Sequence, residues 1–79
     1  MNPYELRMLL NQPVTLYFSD GEIVETVLLG VDTKVDRDIT YEVVKIVQRG
    51  VPAARGTVQG GTCVASVDEL LKWQATSRS

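Results

Sequence analysis

The side chains best suited to chemistry in this 79-residue chain are three neighbouring aspartates, Asp32, Asp36 and Asp38. Carboxylates at alternate loop positions can bind calcium when a turn glycine and a later bidentate glutamate complete the set. Only Asp36-Arg37-Asp38 alternates, and no turn glycine follows it. The chain has no histidine and one cysteine, so no Cys/His zinc pattern can form. We therefore predict neither a metal site nor another cofactor.

Groups for catalysis are equally sparse in the sequence. Histidine, the commonest general base, is absent. No serine, cysteine or lysine has a recognisable activating neighbour, and Cys63 lies in an apolar alternating segment typical of a buried small hydrophobe. The glycines between positions 50 and 61 do not form a phosphate loop, because no Gly-Lys-Ser/Thr follows them. The sequence predicts a chain that is not an enzyme and has no evident small-molecule substrate.

Length and composition are those of one small globular domain spanning 1–79. The chain is 44% hydrophobic and 23% charged, with a net charge of −2. Any contact with nucleic acid would therefore need a local basic patch, for which Arg37, Arg49 and Arg55 are the candidates, although scattered surface charge explains them as well. No apolar run is long enough to cross a membrane, no signal peptide is seen and the cysteine is alone, which together predict a cytoplasmic protein without a membrane partner.

The elements predicted from local patterns are mostly strands. A helix is expected over 2–11 and a short closing helix over 67–73, followed by a frayed tail at 74–79. Asp20-Gly21 predicts a tight type I′ hairpin turn, which needs positive φ at both residues. Trp73 is expected to pack the closing helix onto a small barrel. Strands are predicted at 14–19, 22–31, 40–49, 56–59 and 62–66.

The first hairpin resembles a known family. From Val14 the chain reads V-x-L-x-F-x-D-G-x-x-V-x-T-x-L-x-G-V-D. This resembles the first motif of the Sm-like (LSm) proteins, with Val24, Leu28 and Asp32 at matching positions and Thr26 where the family usually has glycine. The resemblance covers residues 2–36. It implies an all-β fold, a small, strongly bent five-stranded barrel behind an N-terminal helix; an SH3-like or other small barrel is the alternative.

The resemblance also implies a site for single-stranded RNA. By position it assigns Asp32, Lys34 and Asp36 to that site, with Arg49 in the second motif and Arg55 as a rival. Two of these depart from the family, because Lys34 has no ring to stack on a base and Asp36 accepts hydrogen bonds but repels phosphate. A solvated loop held by aspartate turn chemistry explains the same residues. A protein-interaction or structural barrel without nucleic acid therefore stays open beside RNA binding.

The third predicted strand suggests self-association. Without a disulfide or metal, so small a core gains from burying more apolar surface between subunits. The strand is apolar on both faces: strict alternation points Val43 and Val47 one way and Val44 and Ile46 the other. We predict a homo-oligomer, a ring by the resemblance, although a helix could cover the outer face within one chain. The predicted interface comprises Tyr41, Val43, Val44, Ile46 and Val47.

Overall fold

The protein is built on one antiparallel sheet of five strands in the order β4-β3-β2-β1-β5. The computed structural model describes residues 4–51 and 56–76. No helix in these two ranges is long and apolar enough to cross a membrane. The elements are a helix α1 at Tyr4–Arg7, strands β1 at Pro13–Phe18, β2 at Ile23–Asp32, β3 at Asp38–Gln48 and β4 at Thr62–Ser66, a 3-10 turn at Val67–Glu69, and β5 at Leu70–Ala75.

The sheet is open, so the predicted barrel is corrected to a bent sheet with two edges. Strands β4 and β5 lie at opposite ends of the strand order and are not paired with each other. Five flat strands would hold these edges about 19 Å apart. Only the 3-10 turn joins β4 to β5, and a four-residue step spans at most about 14 Å. The sheet must therefore curl until its two edges approach each other at that end.

Four bulges supply much of this curvature. At each bulge one strand carries an extra residue without a partner: Leu29 in β2, Val44 and Val47 in β3, and Leu71 in β5. A bulge bends its strand and increases the local twist. The extra residues are all aliphatic and all exposed, from 42% for Val44 to 61% for Leu71. Bending the sheet has thus placed four large apolar side chains on the surface.

The core lies on the inner face of the sheet and is sealed by Leu6 from α1. Phe18 and Tyr41 are its largest side chains, with ring centroids 6.1 Å apart. Thr26, which takes the glycine position of the resembled motif, is 1% exposed, and its hydroxyl donates a 2.8 Å hydrogen bond to the Val14 carbonyl. A buried hydroxyl is costly unless it is hydrogen-bonded. The other core residues are Val14, Leu16, Val24, Leu28, Ile39, Val43, Ala65 and Val67.

The β1–β2 hairpin forms where it is predicted, but with another turn. Gly21 has a positive φ of 93°, whereas Asp20 is not among the residues with positive φ, so the type I′ prediction is wrong. The Gly21 amide donates to the Phe18 carbonyl and the Phe18 amide to the Glu22 carbonyl, which makes a three-residue loop ending in glycine. The Asp20 carboxylate steadies the loop by accepting the Glu22 amide at 3.0 Å.

The closing helix predicted over 67–73 is wrong beyond Glu69. Ser66 caps the short 3-10 turn, its hydroxyl accepting the Asp68 amide at 3.2 Å, but the chain then continues as β5. The bulge at Leu71 explains the error: it lets Leu70 and Trp73, three positions apart as on one helix face, both pack against the core. Residues 74 and 75 belong to β5 rather than to a frayed tail, and 77–79 lie outside the described residues.

The N-terminal helix and the fourth predicted strand also differ from expectation. Helix α1 ends at Arg7 because the chain turns to bring Leu10 into a bridge with Leu28 of β2. Asn11, with a positive φ of 62°, completes that turn. Residues 2 and 3, where the helix is predicted to begin, lie outside the described residues, as do 52–55. Residues 56–59 form no strand, whereas the strand predicted at 62–66 is confirmed.

Candidate functional site

The loop between β2 and β3 is folded around the Asp32 carboxylate. Oxygen Oδ1 accepts the backbone amides of Lys34 at 3.0 Å and Val35 at 3.1 Å, and Oδ2 accepts that of Asp36 at 3.5 Å. The amides of Val35 and Lys34 lower the pKa of Asp32, with Asp36 and the charge of Arg7 as smaller causes. This carboxylate shapes the loop, as the turn-chemistry alternative expects.

We expect Asp32→Asn to destabilise the protein near neutral pH and to matter less in acid. Because the folded-state pKa lies below the ordinary value of 3.8, the carboxylate contributes fully above that value and its contribution is lost as pH falls through the lower pKa. Urea unfolding near pH 7 and below about pH 4 measures the change. Asp36→Asn is the control, because Asp36 caps no described amide. A wild-type advantage that persists undiminished in acid would contradict the assignment.

A cleft of about 270 Å³ opens between the end of α1 and this loop. Arg7 lines it from the helix, and Lys34 brings a second cation from the loop. The remaining lining residues are Val31, Asp32, Thr33 and Val35. Two cations and one carboxylate thus share a small concave surface on a chain whose net charge is −2. Sequence reasoning missed Arg7, because no local pattern tells which loop a helix end will face.

The 3-10 turn that connects β4 to β5 lies beside the β2–β3 loop. The side chain by which it contacts this loop is the acid Asp68. Arg37, with a positive φ of 51°, accepts the Val67 amide through its carbonyl at 2.8 Å. Its guanidinium pairs with Asp68 at 3.0 Å, and both side chains are more than half exposed. The pair fastens the β2–β3 loop to the 3-10 turn, although an ion pair so exposed contributes little to stability.

The structure brings together only part of the predicted RNA site. Asp32 and Lys34 line the cleft, and Asp36 is exposed on the same loop. Arg49 follows the far end of β3, where Gln48 pairs with Ile23, and its guanidinium donates to the Thr57 carbonyl at 3.4 Å. Arg55 lies outside the described residues. RNA binding by these predicted residues stays a prediction. Within one chain, Arg49 lies at the far end of β3 and not beside the cleft.

The predicted interface residues divide between core and surface. Tyr41 and Val43 are fully buried in the chain's own core, and Ile46 packs against that core. Val44 and Val47 point outward at the β3 bulges. The phase of the strand therefore differs from strict alternation, with Val43 and Ile46 on the inner side.

The two sheet edges carry further exposed apolar side chains. Val64 of β4 is 59% exposed, and Leu71 of β5 is 61% exposed. Beside Leu71, the Lys72 ammonium lies 4.5 Å from the centre of the Tyr17 ring. Sequence reasoning missed the β5 edge because it assigned these residues to a helix.

Within residues 4–51 and 56–76, no group of three or more Cys, Asp or Glu residues is placed so that it could hold a metal ion. Cys63 is a free, half-buried thiol packed against the core.

No family model, curated protein or solved structure matches the chain.

Proposed function

We propose that this chain is a non-catalytic, Sm-like assembly module whose copies join through the two edges of the bent sheet. The observation that carries the proposal is that β4 and β5 both lie at sheet edges, each with an exposed large aliphatic side chain. An edge strand presents unpaired amides and carbonyls that readily pair with another strand. Neither edge is covered by another described element.

The positions of the edges favour a closed assembly. If β4 of one copy pairs with β5 of the next, two different surfaces meet, and such head-to-tail contacts close into a ring when the rotation between copies allows it. Val64 and Leu71 would then be buried at every contact. The curvature from the four bulges also supports a ring. In a curled sheet the two edges do not lie in one plane, so copies joined through them are rotated relative to one another and do not stack flat. This is the arrangement that the resemblance to Sm-like proteins implies.

Stability provides a second argument. A chain of 79 residues without a disulfide has a net stability of only about 3–5 kcal/mol from its core. Each Å² of apolar surface removed from water adds about 25 cal/mol before the cost of association. Burying the exposed aliphatic side chains at the bulges and at the edges therefore increases the stability of the folded chain. A protein-interaction module would instead offer the same edges to an extended segment of another protein.

Light scattering on the chromatographed protein at micromolar concentration tests the proposal. We expect a particle several times the chain mass of 8.7 kDa. The double variant Val64→Lys/Leu71→Lys should fall to the single-chain mass while keeping its circular dichroism spectrum, because both residues are solvent-exposed in one chain. The control is Val35→Lys, at an 82% exposed valine of the β2–β3 loop that belongs to neither edge strand.

Three results would contradict the proposal. A wild-type mass of one chain at that micromolar concentration would mean that the edges are open to another protein instead, and an assembly unaffected by the double variant would place the contacts elsewhere. Mass loss in Val35→Lys as well would show that added charge, rather than the edges, is responsible.

A further inference from the structure

We propose that the outer face of β2 and β3 binds the same face of a second copy, in a weak two-fold pair. This surface, the ribbon face, points away from the core. Its principal side chains are Ile23, Leu29, Glu42, Val44, Lys45 and Val47. The pair goes beyond the proposed head-to-tail assembly, because that assembly uses the edge strands β4 and β5 and leaves β2 and β3 inside each sheet.

The bulges give the ribbon face more outward side chains than regular strands would have. Val43 and Ile46 both face the core, yet two residues rather than one lie between them, so Val44 and Lys45 both point outward. Leu29 is the corresponding extra residue of β2. The solvent side of an antiparallel sheet is normally polar. Exposed aliphatic side chains at these positions therefore indicate a surface that another molecule covers.

The charges of the ribbon face identify that molecule as a second copy of the chain. Lys45 lies opposite Glu25 in the register of β2 and β3, and Glu42 lies opposite Val27. Lys45 and Glu42 are both exposed, and neither forms an ion pair with a residue of the described ranges 4–51 and 56–76. One strand thus offers a cation and an anion that are three positions apart, which makes the face complementary to itself.

A two-fold axis that runs across the strands brings these charges together. It lays β3 of one copy over β3 of the other in the opposite direction, and β2 over β2 in the same way. When the axis passes midway between Glu42 and Lys45, each lysine lies over the glutamate of the other copy, and Val44 lies beside its own counterpart. The same axis places Leu29 over Ile23 of the other copy, because these residues lie equally far from it along β2.

The contact is small, so the pair is weak. The bulges bend the sheet around the core, which makes its outer face convex and confines the contact to the middle of the two strands. A standard interface uses about 20–30 residues on each side, and much smaller contacts are transient. We therefore expect no pairing at micromolar concentration, where edge assembly is measured, and substantial pairing only near about 1 mM.

Sedimentation equilibrium of Leu71→Lys tests the pair without the edges. Blocking β5 removes every head-to-tail contact, and Leu71 belongs to neither β2 nor β3. The average mass should rise from that of one chain, 8.7 kDa, near about 10 µM toward twice that value near about 1 mM. In this background, Val44→Thr/Val47→Thr keeps the branched shape and should weaken association at least about fivefold. Val35→Thr, at an exposed loop valine, is the matched control.

Charge reversal gives a sharper test, because a two-fold pair predicts rescue by mixing. In the same background, Lys45→Glu places two acids against each other at both contacts, and Glu42→Lys places two lysines there. Neither variant should associate with itself near about 1 mM. A one-to-one mixture should recover the pairing of the parent protein, because both contacts of the mixed pair then join opposite charges. Contacts within a single chain cannot produce this rescue.

Four results would overturn the inference. They are a single-chain mass for Leu71→Lys up to about 1 mM, association that neither reversal weakens, a mixture no heavier than its components, and an equal loss in Val35→Thr. The first would mean that the face serves another protein or none. The wild-type mass at micromolar concentration reports edge assembly separately. If Leu71→Lys is still large there, the head-to-tail proposal fails, and the mixing experiment still decides the ribbon face.

Discussion

Leu28→Ala is expected to unfold most of the protein near room temperature. Leu28 is fully buried in β2, pairs with Tyr41 and accepts the Asn11 amide at 2.8 Å through its carbonyl. Truncating a buried leucine to alanine costs about 2–5 kcal/mol, which is similar to the whole net stability expected of so small a domain. Urea unfolding followed by circular dichroism measures the loss.

The neighbouring leucine is a stringent control for this variant. Leu29 is the extra residue of the β2 bulge and is 47% exposed, so Leu29→Ala should change the stability of the single chain by less than about 1 kcal/mol. Equal losses from the two substitutions in a single-chain particle would show that the bulge does not turn Leu29 outward. The comparison tests the strand phase with the same chemical change at adjacent positions.

Gly50→Ala is expected to cost about 1–3 kcal/mol, because the added methyl would overlap the Asp20 carboxylate. A Cβ at Gly50 would lie 2.6 Å from Asp20 Cγ and 2.8 Å from Oδ1, and closer still to Oδ2. That carboxylate cannot simply swing away, because it holds the Glu22 amide, and the Asp20 carbonyl accepts the Val51 amide. The hairpin loop and the end of β3 are thus packed against each other.

A double-mutant cycle isolates this overlap. Asp20→Ala removes the carboxylate, so Gly50→Ala should cost much less in that background than in the wild type. Gly60→Ala tests a different cause, since nothing lies within 4 Å of its Cβ position but its φ is +85°. Costs for Gly50→Ala that are the same with and without Asp20 would mean that backbone conformation, rather than contact, makes position 50 a glycine.

The sequence predicts the strands well wherever alternation is unbroken. The hairpin around Asp20-Gly21 and the strand Thr62–Ser66 follow directly from local patterns. The misassignments occur at bulges: Leu71 makes a strand look helical, and Val44 and Val47 make β3 look apolar on both faces. A period of two cannot reveal an unpaired residue, because the partner strand that defines the bulge is distant in sequence.

The candidate site divides in the same way. The turn chemistry of Asp32 is local and was predictable, since an aspartate commonly accepts amides two to four residues ahead. Arg7 and Arg49 depend on tertiary structure: the fold brings the first beside the Asp32 loop and carries the second to the other end of β3. No spacing rule connects a helix end to a loop that lies more than twenty residues later.

The pairing of β1 with β5 constrains how the chain can fold. Thr15 and Thr76, whose hydroxyls are 2.9 Å apart, are separated by 61 residues, whereas β2 and β3 are joined by a short loop. Closing a long loop has a larger entropic cost, and contacts of high sequence separation slow folding. We expect β2 and β3 to pair early and β5 to dock late. Until β5 docks, β1 is an exposed edge of the sheet. During refolding, β1 can therefore pair with a strand of another chain in place of β5.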